Sequence, residues 1–122
     1  MTATLGRVIL YSPKMDDMVA FYTRHFGFSV KPGQGDDRLV ELVAPEGGAV
    51  ILLHPASQGQ KQGQVQAKLV FDVPDVPAFC DRAAQDGLRF GPLHRADGYC
   101  FANAKDPSGN AIQVSSRAFA KG

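Results

Sequence analysis

The strongest constraint on the fold is an internal repeat. The stretch RVILYSPKMDDMVAFYTRHFGF, from Arg7, can be laid over KLVFDVPDVPAFCDRAAQDGLRF, from Lys68. Arg7 and Lys68 stand 61 residues apart, as do Pro13 and Pro74. Ala20-Phe21 and Ala78-Phe79 stand 58 apart, so the first copy has three more residues between strand and helix. Further along, PEGGAVILL pairs with DPSGNAIQV at a spacing of 61, which sets Leu52 opposite Gln113. A slip of one would set Ile51 there instead.

Each copy reads the same way. A β-rich run comes first, Arg7 to Ser12 or Lys68 to Val73, and a proline ends it. An amphipathic helix follows, carried by Met15, Val19, Tyr22 and Phe26 in copy one and by Val76, Phe79, Cys80 and Ala83 in copy two. Gly27 and Gly87 are placed to stop the helices. Three strands are predicted after each helix. In copy one they span Phe28 to Lys31, Arg38 to Ala44 and Ala49 to His54, joined by PGQGDD and PEGG. In copy two they span Arg89 to Leu93, Tyr99 to Ala104 and Ala111 to Ser116. The Gly/Gln-rich stretch from Ser57 to Gln64 reads as a solvated linker. The expectation is one α+β domain over residues 1–122, with two βαβββ modules at about 5–56 and 65–117. Their curved mixed sheets would pair around a cup-like cleft.

Side chains alternate across a strand, so the faces can be assigned. Leu69, Phe71 and Val73 form a wholly apolar face that should meet a helix, as should Val8 and Leu10, Ile51 and Leu53, and Ile112 and Val114. The opposite faces carry Arg7, Ile9 and Tyr11; Val50, Leu52 and His54; Lys68, Val70 and Asp72; and Ala111, Gln113 and Ser115. These mixtures of apolar, cationic and polar groups suit a lined pocket. The facing of Glu41 stays open at this point.

With the aromatic pair Phe21-Tyr22, the Gly27-Phe28 step and DPSGNAIQVS near the end, the chain resembles the vicinal oxygen chelate superfamily. That superfamily includes glyoxalase I, bleomycin-resistance proteins and extradiol dioxygenases. The resemblance runs from about Leu5 to Arg117. It implies paired βαβββ modules, a cup-like site and a homodimer. Metal-using members take ligands from the first and fourth strands of each module, positions that fall on Arg7, Leu52 (or Ile51), Lys68 and Gln113. Arginine, a protonated lysine and an aliphatic side chain offer a metal no lone pair, which leaves only the Gln113 amide oxygen. A catalytic divalent site needs about three protein ligands, so neither a metal nor any other cofactor is expected.

The candidate ligand-binding residues are Arg7, Tyr11, Leu52, His54, Lys68, Tyr99, Phe101 and Gln113, and no catalytic residue is assigned. Arg7 and Lys68 either form a cationic floor for an anionic or carbonyl-bearing ligand or are paired internally, with Glu41, Asp72 or neighbouring groups. Tyr11, Tyr99 and Phe101 either stack on a planar ligand or belong to the core. His54 is a base, a ligand contact or a rim residue. His25 reads as structural, and His94 as part of a turn-rich loop from Gly91 to Gly98. No Ser–His–Asp arrangement is readable. The GQG at Gly33 to Gly35 precedes a strand rather than a helix and is not a nucleotide loop.

Three functions remain after this. The first is a metal-free protein that binds or sequesters a small anionic or aromatic molecule. The second is a lyase or isomerase acting on a small carbonyl compound, with His54, Glu41 or Tyr11 in acid/base roles. The third is an accessory module with a vestigial pocket. A net charge of +1 gives no reason to expect nucleic acid or an anionic membrane as partner. No apolar run approaches the ~18 residues a bilayer span requires. The start lacks the pattern of a signal peptide, and Cys80 and Cys100 read as reduced thiols, so a cytoplasmic location is expected.

Overall fold

The computed structural model describes residues 1–32, 38–57, 59 and 61–120. Most of the PGQGDD turn, including Gly33 to Gly35, lies outside the described residues, as do Gln58 and Gln60 of the expected linker. The chain divides into two compact units, Met1–Gln62 and Gly63–Gly122. Each contains one helix and one four-stranded mixed sheet, so the α+β class and the strand–helix–three-strand order both hold.

In unit one, β1 (Arg7–Ser12) leads to α1 (Met15–Phe26), β2 (Ser29–Val30), β3 (Val40–Val43) and β4 (Val50–Pro55). The sheet order is β1-β4-β3-β2, with β1 and β4 parallel and the other pairs antiparallel. The chain turns out of β1 through Ser12, a buried residue whose Oγ accepts the Lys14 amide at 2.9 Å. Asp16 and Asp17 lie in the first turn of α1 and Arg24 and His25 in its last, complementing the helix dipole. Gly27 closes the helix at φ 74°, a left-handed conformation that favours glycine. The apolar stripe of α1 places Met18 and Tyr22 in the core, fully buried, with Leu42 and Leu53 of the sheet. Phe21 and Phe28 meet the Tyr22 ring edge-on at 5.0 and 6.2 Å.

Unit two repeats this plan with β5 (Lys68–Asp72), α2 (Val76–Gln85), β6 (His94–Ala96), β7 (Tyr99–Lys105) and β8 (Ala111–Ser115), in the order β5-β8-β7-β6. Asp75 caps α2 by accepting the Ala78 amide at 3.0 Å. Val76, Ala102, Ile112 and Val114 form the most deeply buried part of its core. A short 3₁₀ turn, Arg117–Phe119, follows β8.

The ladder registers settle the repeat. Arg7 stands opposite Val50 and Ile9 opposite Leu52; Lys68 stands opposite Ala111 and Val70 opposite Gln113. Leu52, not Ile51, is therefore the counterpart of Gln113. Ile51 is 4 % exposed and belongs to the helix-facing side, as alternation requires.

One strand assignment is overturned. Arg89 to Leu93 is not a strand; Pro92 has no amide to give a ladder, and only the Gly91 amide reaches β7, at Asn103 O, 2.8 Å away. The strand lies later, at His94–Ala96, within the stretch read as a loop. It pairs with Tyr99–Phe101 across the two-residue turn Asp97-Gly98, where Gly98 takes φ 84°. Asp-Gly is a strong hairpin signal, and here the glycine supplies the one positive φ of the turn. His94 thus sits on a strand, its ring stacked on Phe101 at 5.1 Å.

Candidate functional site

The sheet face opposite each helix carries the candidate residues, and each unit forms its own set. In unit one, the ladder places Ile9, Leu52 and Glu41 in one row, so Glu41 faces away from α1. Glu41 is 9 % exposed. A carboxylate that far from water needs compensation, and it has two cations. Arg7 Nε lies 3.6 Å from Oε1 and Lys31 Nζ lies 3.4 Å from Oε2. Arg7 therefore has an internal partner. In the next row Tyr11 stands opposite His54, with ring centroids 4.8 Å apart. His54 Nδ1 is 2.8 Å from the Pro55 carbonyl oxygen. A carbonyl only accepts, so Nδ1 donates, and in the neutral ring Nε2 is the acceptor. His54, Pro55, Arg38 and Leu39 border a shallow hollow of about 240 Å³. Leu52 lies half-buried between Ile9 and Glu41.

In unit two the matching row is Val70, Gln113 and Asn103. Asn103 occupies the place that Glu41 holds in unit one. Lys68 Nζ donates to Asn103 Oδ1 at 3.1 Å, and Gln113 Nε2 donates to the same oxygen at 2.9 Å. Lys68 also has an internal partner, though this is Asn103 rather than Asp72. The next row runs Asp72, Ser115, Phe101 and His94.

These strands and the 3₁₀ turn enclose an open concavity of about 540 Å³, lined by Val70, Asp72, Gln113, Ser115, Tyr99, Phe101, Arg117 and Ala118. The Tyr99 and Phe101 rings lie 6.2 Å apart at 32°, and the Arg117 guanidinium sits 5.7 Å from the Tyr99 centroid. Gln113, Tyr99 and Phe101 are therefore brought together in one concavity, with Lys68 reaching Gln113 through Asn103.

Three contributors escaped the sequence reading. Asn103 could have been found from alternation, two residues past Phe101. Arg117 continues the alternation of Gln113 and Ser115 just beyond the strand. Lys31 could not be found, because its contact depends on how β2 pairs with β3.

The positions that bear metal ligands in the resembled superfamily hold Arg7, Leu52, Lys68 and Gln113. Two are protonated donors turned to internal acceptors, one is a hydrocarbon, and Gln113 commits its Nε2 to Asn103. This donor set does not fit a divalent cation. Among the described residues no three His, Cys, Asp or Glu side chains converge.

The Glyoxalase/Bleomycin resistance protein/Dioxygenase superfamily matches residues 4–114. No curated protein sequence matches the chain. Several solved structures share its fold. TnmS3, an antibiotic binding protein from Streptomyces sp. CB03234, is 19 % identical with a TM-score of 0.77, over 93 % of this chain and 94 % of its own. Lactoylglutathione lyase from Agrobacterium tumefaciens is 19 % identical with a TM-score of 0.72, over 98 % and 97 %. The fosfomycin resistance protein FosX from Listeria monocytogenes is 14 % identical with a TM-score of 0.76, over 94 % and 93 %. At these identities the likeness concerns the fold.

Proposed function

We propose that this chain, which belongs to the Glyoxalase/Bleomycin resistance protein/Dioxygenase superfamily, binds or sequesters a small molecule without using a metal. The observation that carries this reading is the unit-two concavity, where two aromatic rings, a guanidinium and an amide line one open space. It is a place to hold a planar molecule, and among the described residues that line it no nucleophile is hydrogen-bonded to a base. A neighbour in fold described as an antibiotic binding protein is in keeping with such a role. Of the ligand-binding candidates, Tyr99, Phe101 and Gln113 act directly, and Lys68 acts through Asn103. Arg7, Tyr11, Leu52 and His54 would belong to a second contact surface in unit one. An anionic ligand group would be met by Arg117, since Arg7 and Lys68 already face partners. A homodimer working in the cytoplasm completes the proposal.

One observation favours a second reading, a lyase or isomerase on a small carbonyl compound. His54 directs Nδ1 to the Pro55 carbonyl, which leaves Nε2 of the neutral ring to act as a base next to the Tyr11 ring. A single experiment separates the two. The purified chain is titrated with planar and carbonyl-bearing compounds, and the compounds are recovered and assayed for conversion. Elemental analysis of the same sample accompanies it. Saturable uptake, unchanged ligand and no stoichiometric zinc, nickel or iron are expected. Conversion that is lost in His54→Gln would establish the second reading, and absence of both uptake and conversion would leave a vestigial pocket.

A further inference from the structure

We infer that Lys68 sets the hydrogen-bonding polarity of the unit-two concavity, so that it selects planar ligands that present an N–H or O–H edge to Gln113. This deepens the binding role proposed above and rests on it.

The argument begins at the ammonium. Lys68 has donors and no acceptor, so only the oxygen of the Asn103 amide can face it. That fixes which way the Asn103 amide lies. The same oxygen has a second lone pair, and Gln113 fills it with Nε2. The two ends of a side-chain amide are chemically opposite. Once Nε2 is committed to Asn103, the end that Gln113 has left is Oε1, an acceptor. No donor among the described residues meets that oxygen. Two amides whose orientation would otherwise be interchangeable are thus locked in sequence by one cation.

The surroundings extend the same polarity. On the β5 side of the concavity, opposite Ser115 and one row along from Gln113, the Asp72 carboxylate is a second acceptor. On the β7 side the lining is ring faces, Tyr99 and Phe101, with Arg117 over Tyr99. A fused-ring molecule stacked on those rings turns an edge to Gln113 and Asp72, and the favourable edge is one that donates. Among the described residues unit one has no such device. Its counterparts are Leu52, which cannot hydrogen-bond, and Glu41, which is held between Arg7 and Lys31.

The test uses three probes of one shape: 2-naphthol, which donates; 2-methoxynaphthalene, which only accepts; and 2-naphthoate, an anion. Each is titrated by calorimetry into the full chain and into Lys68→Met, Lys68→Arg and Gln113→Leu, with circular dichroism confirming that each variant is folded. The wild type is expected to prefer naphthol over its methyl ether by roughly fivefold, the scale of one net hydrogen bond. Lys68→Met frees both amides to turn, so that preference should vanish or invert. Lys68→Arg, again donor-only, should restore it. Gln113→Leu should lose the naphthol advantage while keeping the methyl ether. Lys68 is exposed, so its variants fold even if the Gln113 variant does not. Equal binding of naphthol and ether by the wild type, or a preference unchanged in Lys68→Met, overturns the inference but leaves the binding role. So does naphthoate binding tightest in the wild type and in Lys68→Met alike, since charge at Arg117 would then decide. If none of the probes binds, the binding role itself falls.

Discussion

Asp106 is the residue whose loss should most damage unit two outside its apolar core. It sits 5 % exposed in the turn between β7 and β8. Oδ1 accepts the amides of Ser108 and Asn110, both at 2.9 Å, and Oδ2 accepts the Asn110 side-chain amide at 2.8 Å. The main chain adds Asp106 N to Asn110 O at 3.0 Å and Gly109 N to Asp106 O at 2.9 Å. Pro107 has no amide to contribute, so the carboxylate supplies what the local backbone cannot. Asp106→Ala removes these side-chain bonds, and with them the carboxylate acceptor of the Ser108 amide, in a residue only 3 % exposed, and of the Asn110 amide. Taking the acceptor from a buried donor costs about 1–3 kcal/mol, so the two amides should cost about 2–6 kcal/mol in all. Asp75→Ala is the internal reference. It removes one bond at an exposed helix cap and should cost about 1 kcal/mol. Asp106→Asn keeps one acceptor oxygen and should fall between wild type and alanine. Urea unfolding of the three variants, compared at equal m-values, measures these differences. A cost for Asp106→Ala no greater than for Asp75→Ala, or an asparagine variant as damaged as the alanine one, would refute the reasoning.

Three further outcomes are expected. Burial, then the Asp81 carboxylate, then Cys100 push the half-buried Cys80 thiol up from its ordinary range; iodoacetamide should therefore label Cys80 more slowly in the folded chain than in urea at pH 8, and equal rates would contradict this. Because the folded state holds that proton more tightly, stability should decline as pH climbs past the ordinary thiol range, an effect measurable by urea unfolding and absent in Cys80→Ser. The single-domain reading of residues 1–122 expects one calorimetric transition, whereas two resolved transitions would replace it with two independently folding units.

Legibility in the sequence followed the range of the interactions. The helices were readable because their signals are local, apolar spacing and Gly27 at the end, although the buried stripe of α1 is Met18, Phe21 and Tyr22 and of Met15, Val19, Tyr22 and Phe26 only Tyr22 is buried. Strand faces were readable because alternation has a fixed period, and Ile112, Val114, Ile51 and Leu53 all lie buried where it places them. The β6 hairpin was missed although its signal, Asp97-Gly98, was equally local; the strand was placed at Arg89 to Leu93, where Gly91 and Pro92 argue against one. The partners of the cations were the least legible. Arg7 with Glu41 was one of several open pairings, and Lys68 with Asn103 was not among them, since each contact spans strands whose relative register no single segment reveals.

The repeat supplies that register once the two ladders are known, and it shows where the copies part. In each unit the cation at the start of the first strand reaches a polar residue in the strand beyond the fourth: Arg7 to Glu41, and Lys68 to Asn103. In unit one the partner is a charge. Glu41 takes two cations, its acceptors face both, and its row neighbour Leu52 has nothing to add. In unit two the partner is neutral. Asn103 takes only one cation, and its oxygen has room for a second donor. A hydrocarbon beside it would waste that lone pair, whereas a glutamine fills it. Gln113 stands among packing residues because the neutral amide next to it needs a second donor, and filling that need leaves Gln113 with a carbonyl oxygen to offer.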